Sequence, residues 1–231
     1  MKRRILVAED EASIREFVVI NLAHNDYEVM QAGDGLEAWE LYQTNGDKID
    51  LALLDIMMPE MDGLELARRI RERSSRTGII FLTARAQESD KVKGLLCGGD
   101  DYITKPFSPS ELMARVESVL RRVSLSDIKG EHGTLVSGMF QLDMRSRTLR
   151  RGDDRIDLTN VELQMMEYFL LNKNRTLTRR DILHSVWGGE GVNDLKIVDV
   201  NIRRLRMKVE SDPSAPAHIA TVWGVGYKWT E

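Results

Sequence analysis

The sequence predicts two domains of different class. The first, over residues 1–122, is an α/β domain built on a doubly wound parallel sheet of five strands. The second, over residues 135–231, is a smaller α+β domain. Two patterns carry this reading. Short apolar runs alternate with amphipathic helical stretches through the first half, as βαβ units require. Near residue 123 that alternation stops, and three helical stretches and a glycine-punctuated hairpin follow.

The strands of the first domain are expected at Ile5–Ala8, Leu51–Leu54, Ile79–Leu82 and Tyr102–Thr104, with a weaker one at Val29–Gln31. Helical patterns occupy Ser13–Leu22, Leu36–Tyr42, Leu64–Arg73, Glu88–Leu96 and Ser110–Arg122. Ser108-Pro109-Ser110-Glu111 supplies a cap, a first-turn proline and a glutamate three residues after the cap. The basic start Met1-Lys2-Arg3-Arg4 followed by apolar residues has the order of a secretion leader. The run is too short for one and meets Glu9-Asp10-Glu11, so it is read as a buried strand. Residues 123–134 carry Ser124, Ser126, Gly130 and Gly133 among charges and are read as a flexible linker. Beyond it, strand-like pieces lie around Met139–Leu142 and Thr148–Leu149. Helices are expected near 160–172, 178–187 and 195–211, and a hairpin at Ile219–Trp229. Thr159-Asn160-Val161-Glu162 is a capping box that opens the first of these helices.

Composition excludes several classes. The 231 residues suit two domains. No apolar run approaches the roughly 18 to 20 residues that span a bilayer. The single cysteine, Cys97, rules out an intramolecular disulfide and fits a reducing, cytoplasmic setting. The histidines, His24, His132, His184 and His218, have no metal-ligand spacing. Residues 1–122 hold 17 Lys+Arg against 22 Asp+Glu, net −5; residues 123–231 hold 16 against 15, net +1. An acidic first domain thus precedes a second that can meet phosphate only through a localised basic patch.

The chemistry is positional. Glu9 and Asp10 follow the first strand, Asp55 the third, Thr83 the fourth and Lys105 the fifth. Ligands of open α/β sheets bind at the carboxyl ends of strands, so these side chains should converge on one rim. Any one of them alone reads as a solvated charge or a cap; their joint placement points to a site. Three crowded carboxylates need a cation, and all-oxygen ligation suits Mg²⁺. A phosphoryl group on Asp55 would be held by that metal, the Lys105 ammonium and the Thr83 hydroxyl. Two competing classes fit less well. A haloacid-dehalogenase-type phosphatase needs a second carboxylate two residues after its nucleophile, where this chain has Met57. A nucleotide binder needs a Gly-rich loop after the first strand, where this chain has Ala8-Glu9-Asp10-Glu11.

The segments Glu9-Asp10, Leu53-Leu54-Asp55-Ile56-Met57-Met58-Pro59 with Asp62-Gly63, Leu82-Thr83-Ala84 and Asp101-Tyr102-Ile103-Thr104-Lys105-Pro106-Phe107 resemble a bacterial response-regulator receiver of flavodoxin-like fold. The resemblance implies that Asp55 is the phosphoacceptor and that Glu9, Asp10, Asp55 and the Met57 backbone carbonyl hold Mg²⁺. It further implies that Thr83 and Tyr102 form a switch pair, and that Lys105-Pro106 is cis.

In the second domain, a helix over 195–211 places Val198, Ile202, Leu205 and Val209 on one stripe, expected to face the core. Lys196, Val200, Arg203, Arg204 and Met207 fall opposite, with Asn201 and Arg206 at the edges. Arginine suits guanine edges or phosphates, and Val200 a thymine methyl. Asp199-Val200-Asn201-Ile202-Arg203-Arg204-Leu205-Arg206 together with Thr221-Val222-Trp223-Gly224-Val225-Gly226-Tyr227-Lys228-Trp229 resembles the winged-helix effector domain of the OmpR/PhoB family. By that resemblance, Val200, Asn201 and Arg204 are expected base contacts. Lys196, Arg203, Arg206 and Thr221 are expected phosphate contacts, and Lys228 is the charge left to the wing. Many members carry arginine in the wing where this chain has Trp223, which cannot supply a cationic minor-groove contact.

The resemblance also implies a phosphorylation-dependent homodimer through Lys91, Asp100, Asp101, Glu111, Arg115 and Arg122. It implies a sensor histidine kinase and promoter DNA as partners, with RNA polymerase as a further one and no membrane. The chain is expected to be a transcription regulator, with no enzymatic role beyond accepting and losing its own phosphoryl group. A second reading keeps the receiver as a scaffold for phosphorylation-independent DNA binding.

Overall fold

A computed structural model of the chain describes residues 2–84, 94, 96–128, 133–188 and 194–231. Its contacts divide the chain into two compact units, Met1–Val123 and Ser124–Glu231.

The first unit is a parallel sheet of β1 (Arg4–Ala8), β2 (Glu28–Ala32), β3 (Leu51–Asp55), β4 (Gly78–Ala84) and β5 (Asp101–Lys105), in the order β2-β1-β3-β4-β5. Successive strand residues point to opposite faces, and here both faces are apolar. Ile5, Val7, Leu51, Leu53, Ile80, Leu82 and Ile103 pack with Val18 and Leu22 of helix Ala12–His24 and with Leu112, Val116 and Val119 of helix Pro109–Ile128. Leu6, Ala52, Leu54, Ile79 and Phe81 alternate with them and are equally buried. That face is served by helices Gly35–Asn45 and Gly63–Arg73, which bury Ala38, Tyr42, Leu66, Ala67 and Ile70. Burial on both faces explains why the strands read as continuous apolar runs.

Short side chains start the helices. Asp34 accepts from Glu37 N at 2.8 Å, Asp62 from Glu65 N at 2.7 Å and Ser108 from Glu111 N at 3.1 Å. Each satisfies an amide that has no partner within its own helix. The helix expected at Glu88–Leu96 falls largely outside the described residues. Helix Pro109–Ile128 runs further than expected, through residues read as linker. Between Val123 and Ile128 no glycine or proline interrupts it, and Gly130 is the first strong breaker.

The second unit opens with an antiparallel sheet of β6 (Thr134–Ser137), β7 (Phe140–Asp143), β8 (Thr148–Arg151) and β9 (Asp154–Ile156). Three helices follow, Asn160–Leu171, Arg179–Trp187 and Lys196–Val209. The first two open with full capping boxes, Thr159 with Glu162 and Thr178 with Asp181. The hairpin β11 (Ile219–Val222) and β12 (Gly226–Trp229) is joined by β10 (Thr176–Thr178) into a sheet ordered β10-β12-β11. At three residues, β10 is too short to show a period in sequence. Trp229 is fully buried; its Nε1 donates to Ser137 Oγ at 2.9 Å and its ring meets Phe140 edge-on. Among the described residues no helix is long and apolar enough to cross a membrane.

Gly226 lies where β12 passes β10. A Cβ there would sit 2.0 Å from the Leu177 carbonyl oxygen, so the strands could not pair at this spacing. Gly226→Ala should destabilise the second unit by about 1–3 kcal/mol, seen as a lowered midpoint in urea unfolding, with the first unit's transition unmoved.

Candidate functional site

The strand order places β2 and β3 on either side of β1, so the chain leaves β1 in one direction and returns on the other side. A crevice forms at the carboxyl ends on such a switch point. Glu9 follows β1 there and Asp55 ends β3; the register sets Thr83 beside Thr104, and Ala84 beside Lys105. The structure brings Glu9, Asp10, Asp55 and Lys105 together on that rim, and Thr83 lies near the end of β4. Lys105 Nζ lies 2.7 Å from Asp55 Oδ2 and donates to Glu9 Oε1 at 2.8 Å. Asp55 Oδ1 accepts from Met57 N at 3.2 Å. Asp55, Glu9 and Thr83 are buried, and Asp10 is exposed at the rim. Carboxylate oxygens of Glu9, Asp10 and Asp55 lie within 4.8 Å of one another.

Burial, and then the nearby charge of Asp55, push the Glu9 carboxyl up to about 7 against the pull of Lys105. Burial alone would lower the Lys105 ammonium, but hydrogen bonds to Asp55 and Glu9 outweigh it and hold its pKa up. The donor set fits a hard divalent cation: oxygen only, acidic, partly open to water. Lys105 approaches Glu9 Oε2 at 2.7 Å without aligning a hydrogen bond to it, leaving a buried acceptor for a ligand.

Lys105-Pro106 is cis. Tyr102 is buried on β5, its ring 5.9 Å from the Arg115 guanidinium. Met57 keeps its side chain in solvent, 74% exposed, so only its backbone faces the site. Two supporting residues escaped the sequence reading. Arg15 Nη1 donates to the Glu9 carbonyl at 2.6 Å and fixes the acidic loop. Gly63 packs so close that a Cβ would sit 2.0 Å from the Asp55 carbonyl oxygen. The Asp62 cap followed by glycine was the signal for the second; a lone arginine in a first helical turn gives none for the first.

The expected dimer-face residues need correction. Asp100 and Asp101 are fully buried and Arg122 is 2% exposed, so none of the three can meet another copy in this conformation. Asp100 accepts from Arg71 Nη2 and Ile79 N, both at 2.8 Å. Arg71 also donates to the carbonyls of Gly98 and Thr77. Arg115 donates to Asp101 at 2.9 Å and reaches Glu111 within its own helix at 3.3 Å. Burial raises the Asp101 pKa despite Arg115 and Arg122, and lowers that of Arg122. These charges form an internal network. Lys91 lies outside the described residues.

On helix Lys196–Val209 the expected apolar stripe Val198, Ile202, Leu205 and Val209 is buried. The opposite face divides. Lys196, Arg203 and Met207 are exposed. Val200, Asn201 and Arg204, the expected base contacts, are buried at 8%, 0% and 5% exposure. Arg204 is drawn in by Glu162, buried on helix Asn160–Leu171. Arg204 Nη2 pairs with Glu162 Oε1 at 3.0 Å and Nη1 donates to Asn201 Oδ1 at 3.0 Å. Asn201 Nδ2 donates to the Ile197 carbonyl, and Lys208 meets Glu162 Oε2 at 2.6 Å. Burial would raise Glu162, yet Arg204 and Lys208 outweigh it and hold its pKa down. Thr221 Oγ1 accepts from Arg206 Nη2 at 2.8 Å, and Arg206 also donates to the Ile219 carbonyl. These two are half-buried, as is Lys228.

Comparison with known proteins matches both units. A family profile described as the response regulator receiver domain covers residues 5–117, and one described as transcriptional regulatory protein, C terminal, covers residues 153–229. The sensory transduction protein RegX3 of Mycolicibacterium smegmatis is 40% identical over 97% of both chains. The alkaline phosphatase synthesis transcriptional regulatory protein PhoP of Bacillus subtilis is 38% identical over 100% of this chain and 98% of its own. Among solved structures, response regulator DrrB, an OmpR/PhoB homolog of Thermotoga maritima, covers 100% of both chains at 31% identity and a TM-score of 0.51. A mutant of RitR reaches a TM-score of 0.80 at 26% identity over 99% of each chain.

Removing one partner of a buried pair strands the other charge. Arg204→Ala should therefore cost about 3–5 kcal/mol of stability, whereas Arg203→Ala should leave unfolding within about 0.5 kcal/mol of the parent. Equal effects in chemical denaturation would contradict the assignment of Arg204 to the core.

Proposed function

The chain belongs to the OmpR/PhoB family of two-component response regulators, a receiver followed by a DNA-binding domain, and from that premise we propose that phosphorylation of Asp55 is the event that switches it. The observation that carries this is the Lys105 ammonium lying 2.7 Å from Asp55 Oδ2 and bonded to Glu9. In the proposed reaction a carboxylate oxygen of Asp55 attacks phosphorus while the bond to a histidine of the sensor kinase breaks. Lys105 then holds the new phosphoryl oxygens. Mg²⁺, bound by Glu9, Asp10, Asp55 and the Met57 carbonyl, would screen the negative charge gathered there. Glu9, freed of part of its hold on Lys105, retains its place through Arg15. Thr83 turns its hydroxyl to the phosphoryl group, and Tyr102 on β5 follows. Later loss of the phosphoryl group belongs to the same site.

The downstream reading is that two phosphorylated copies associate and occupy adjacent promoter half-sites in the cytoplasm, where RNA polymerase is a further partner. Joining two domains raises affinity through effective concentration, with no new DNA contact needed. On each copy Lys196 and Arg203 of the helix are the exposed cations facing phosphate, flanked by Arg206, Thr221 and Lys228.

Incubation with Mg²⁺ and acetyl phosphate should add one phosphoryl group, about 80 Da, to the parent chain and none to an Asp55→Asn variant. Sedimentation of the two should then show a shift toward dimer in the parent alone. Incorporation that survives Asp55→Asn would move the acceptor elsewhere and end the proposal.

The raised pKa of Glu9 sets a pH dependence. Below about 7 its carboxyl keeps a proton that a metal must displace; above about 7 it is already ionised. Mg²⁺ affinity should therefore be retained above that pH and weaken below it, toward a limit of about tenfold per pH unit. Calorimetric titrations across pH 5.5 to 8.5 should show this in the parent. In Glu9→Gln binding should be weaker and nearly flat over the same range (pH limits chosen at about 1.5 units each side of the group).

A further inference from the structure

Glu9 and Asp10 are neighbours in one loop but are held very differently. Glu9 is fixed at three points: its amide donates to the Ala32 carbonyl at 3.2 Å, its carbonyl accepts from Arg15 Nη1 at 2.6 Å, and its carboxylate accepts from Lys105. Asp10 is exposed, and among the described residues its carboxylate enters no hydrogen bond or ion pair. Its backbone is reached by the same guanidinium, since Arg15 Nη1 also donates to the Asp10 carbonyl at 3.4 Å. One side chain therefore spans the carbonyls of both acidic residues.

Arg15 is itself braced. It is half-buried on helix Ala12–His24, and its guanidinium lies over Gly33 in the turn after β2. A Cβ on Gly33 would stand 3.7 Å from Arg15 Nη1 and 3.6 Å from Glu37 Oε2. Glu37 is anchored there, accepting from Gly33 N at 2.6 Å while its own amide donates to Asp34. Gly35, which opens the next helix, packs so close to the loop after Asp55 that a Cβ would sit 1.9 Å from the Met61 carbonyl oxygen. The start of helix Gly35–Asn45 thus abuts both loops of the acidic rim, and it meets the first through Arg15. A guanidinium cannot ligate a cation, and as a charge it opposes one. What it supplies is geometry. Gathering repelling carboxylates around an ion costs free energy unless they are held in place beforehand, and outer groups that hold ligands are typically worth 10–100-fold, order of magnitude, in metal affinity.

We propose that Arg15 is a positioning residue for the divalent ion: it holds the backbone of Glu9 and Asp10 so that the Asp10 carboxylate stands ready on the rim. This rests on the acidic rim being the Mg²⁺ site. Asp10 depends on Arg15 more than Glu9 does, because Lys105 and the Ala32 carbonyl hold Glu9 independently.

The test uses the full-length chain in three forms: parent, Arg15→Ala and Arg15→Lys. In EDTA the three should unfold alike, since alanine and lysine both suit a helix. Added Mg²⁺ should raise the unfolding midpoint of the parent more than that of Arg15→Ala. In calorimetric titration with Mg²⁺ alone, Arg15→Ala should bind about tenfold more weakly. Arg15→Lys, which keeps the charge and one donor, should fall between the two. The rate of phosphorylation is then followed with acetyl phosphate, whose acetate leaves as Asp55 takes the phosphoryl group. Arg15→Ala should be slow at limiting Mg²⁺ and match the parent at saturating Mg²⁺, a split that a residue serving folding alone would not produce. Unchanged Mg²⁺ affinity in Arg15→Ala would overturn the inference. Tighter binding would do so as well and make the guanidinium a repelling charge only. A slow rate that saturating Mg²⁺ fails to restore would also overturn it and assign Arg15 to the phosphoryl group. Failure of the parent itself to bind Mg²⁺ would end the underlying reading of the rim, and this inference with it.

Discussion

Mutual repulsion among Glu9, Asp10 and Asp55 is the constraint on which the rest of the receiver depends. Three carboxylates within 4.8 Å of one another are stable only if something positive stands among them. In this chain Lys105 does so, from the end of the strand farthest along the sheet from Glu9's side of the switch point. The whole parallel order β2-β1-β3-β4-β5 serves to bring that ammonium across. Burial, with the charge of Asp55 added, holds the Glu9 carboxyl above its usual range even beside Lys105. One ammonium among three acids leaves the pocket receptive to a divalent ion and, with it, to a phosphoryl group.

The second unit solves a similar problem in the opposite way. Glu162 is buried at 0% exposure, and its charge is answered by Arg204, Lys208 and the Thr159 amide. Both acids are answered by cations inside the protein; what differs is access, since the receiver's cluster opens to water at Asp10 whereas Glu162 is closed in. Arg203 and Arg204, adjacent in sequence, divide in the same way, the first exposed and the second buried.

Much of the architecture could be read from the chain because both faces of the receiver sheet are buried, which writes strands as unbroken apolar runs and helices as single stripes. The acidic site was legible for a related reason: strand ends fix position, and position alone aligned Glu9, Asp55, Thr83 and Lys105. What could not be read were pairings between distant charges. Asp100 and Asp101 looked like dimer-face charges because Arg71, 29 residues from the first, and Arg115, 14 from the second, leave no local trace. Arg204 looked like a reading residue because a helical wheel shows one helix and not the neighbour that supplies Glu162. The capping box at Thr159 named Glu162 for one task, and that task masked its second.

The withdrawal of Val200, Asn201 and Arg204 into the core has a consequence for information content. On that helix Lys196, Arg203 and Met207 stay exposed, and a domain reading bases through so few groups would specify only a short word. A word of two or three base pairs recurs by chance every few tens of base pairs (order of magnitude) in any genome, and the ratio of specific to competing sites would be poor. On the proposed reading of two copies at adjacent half-sites, selectivity comes from requiring two such words at a set spacing, and from the deformability of the DNA between them. In such a regulator the address is written less in any single contact than in the geometry of repetition.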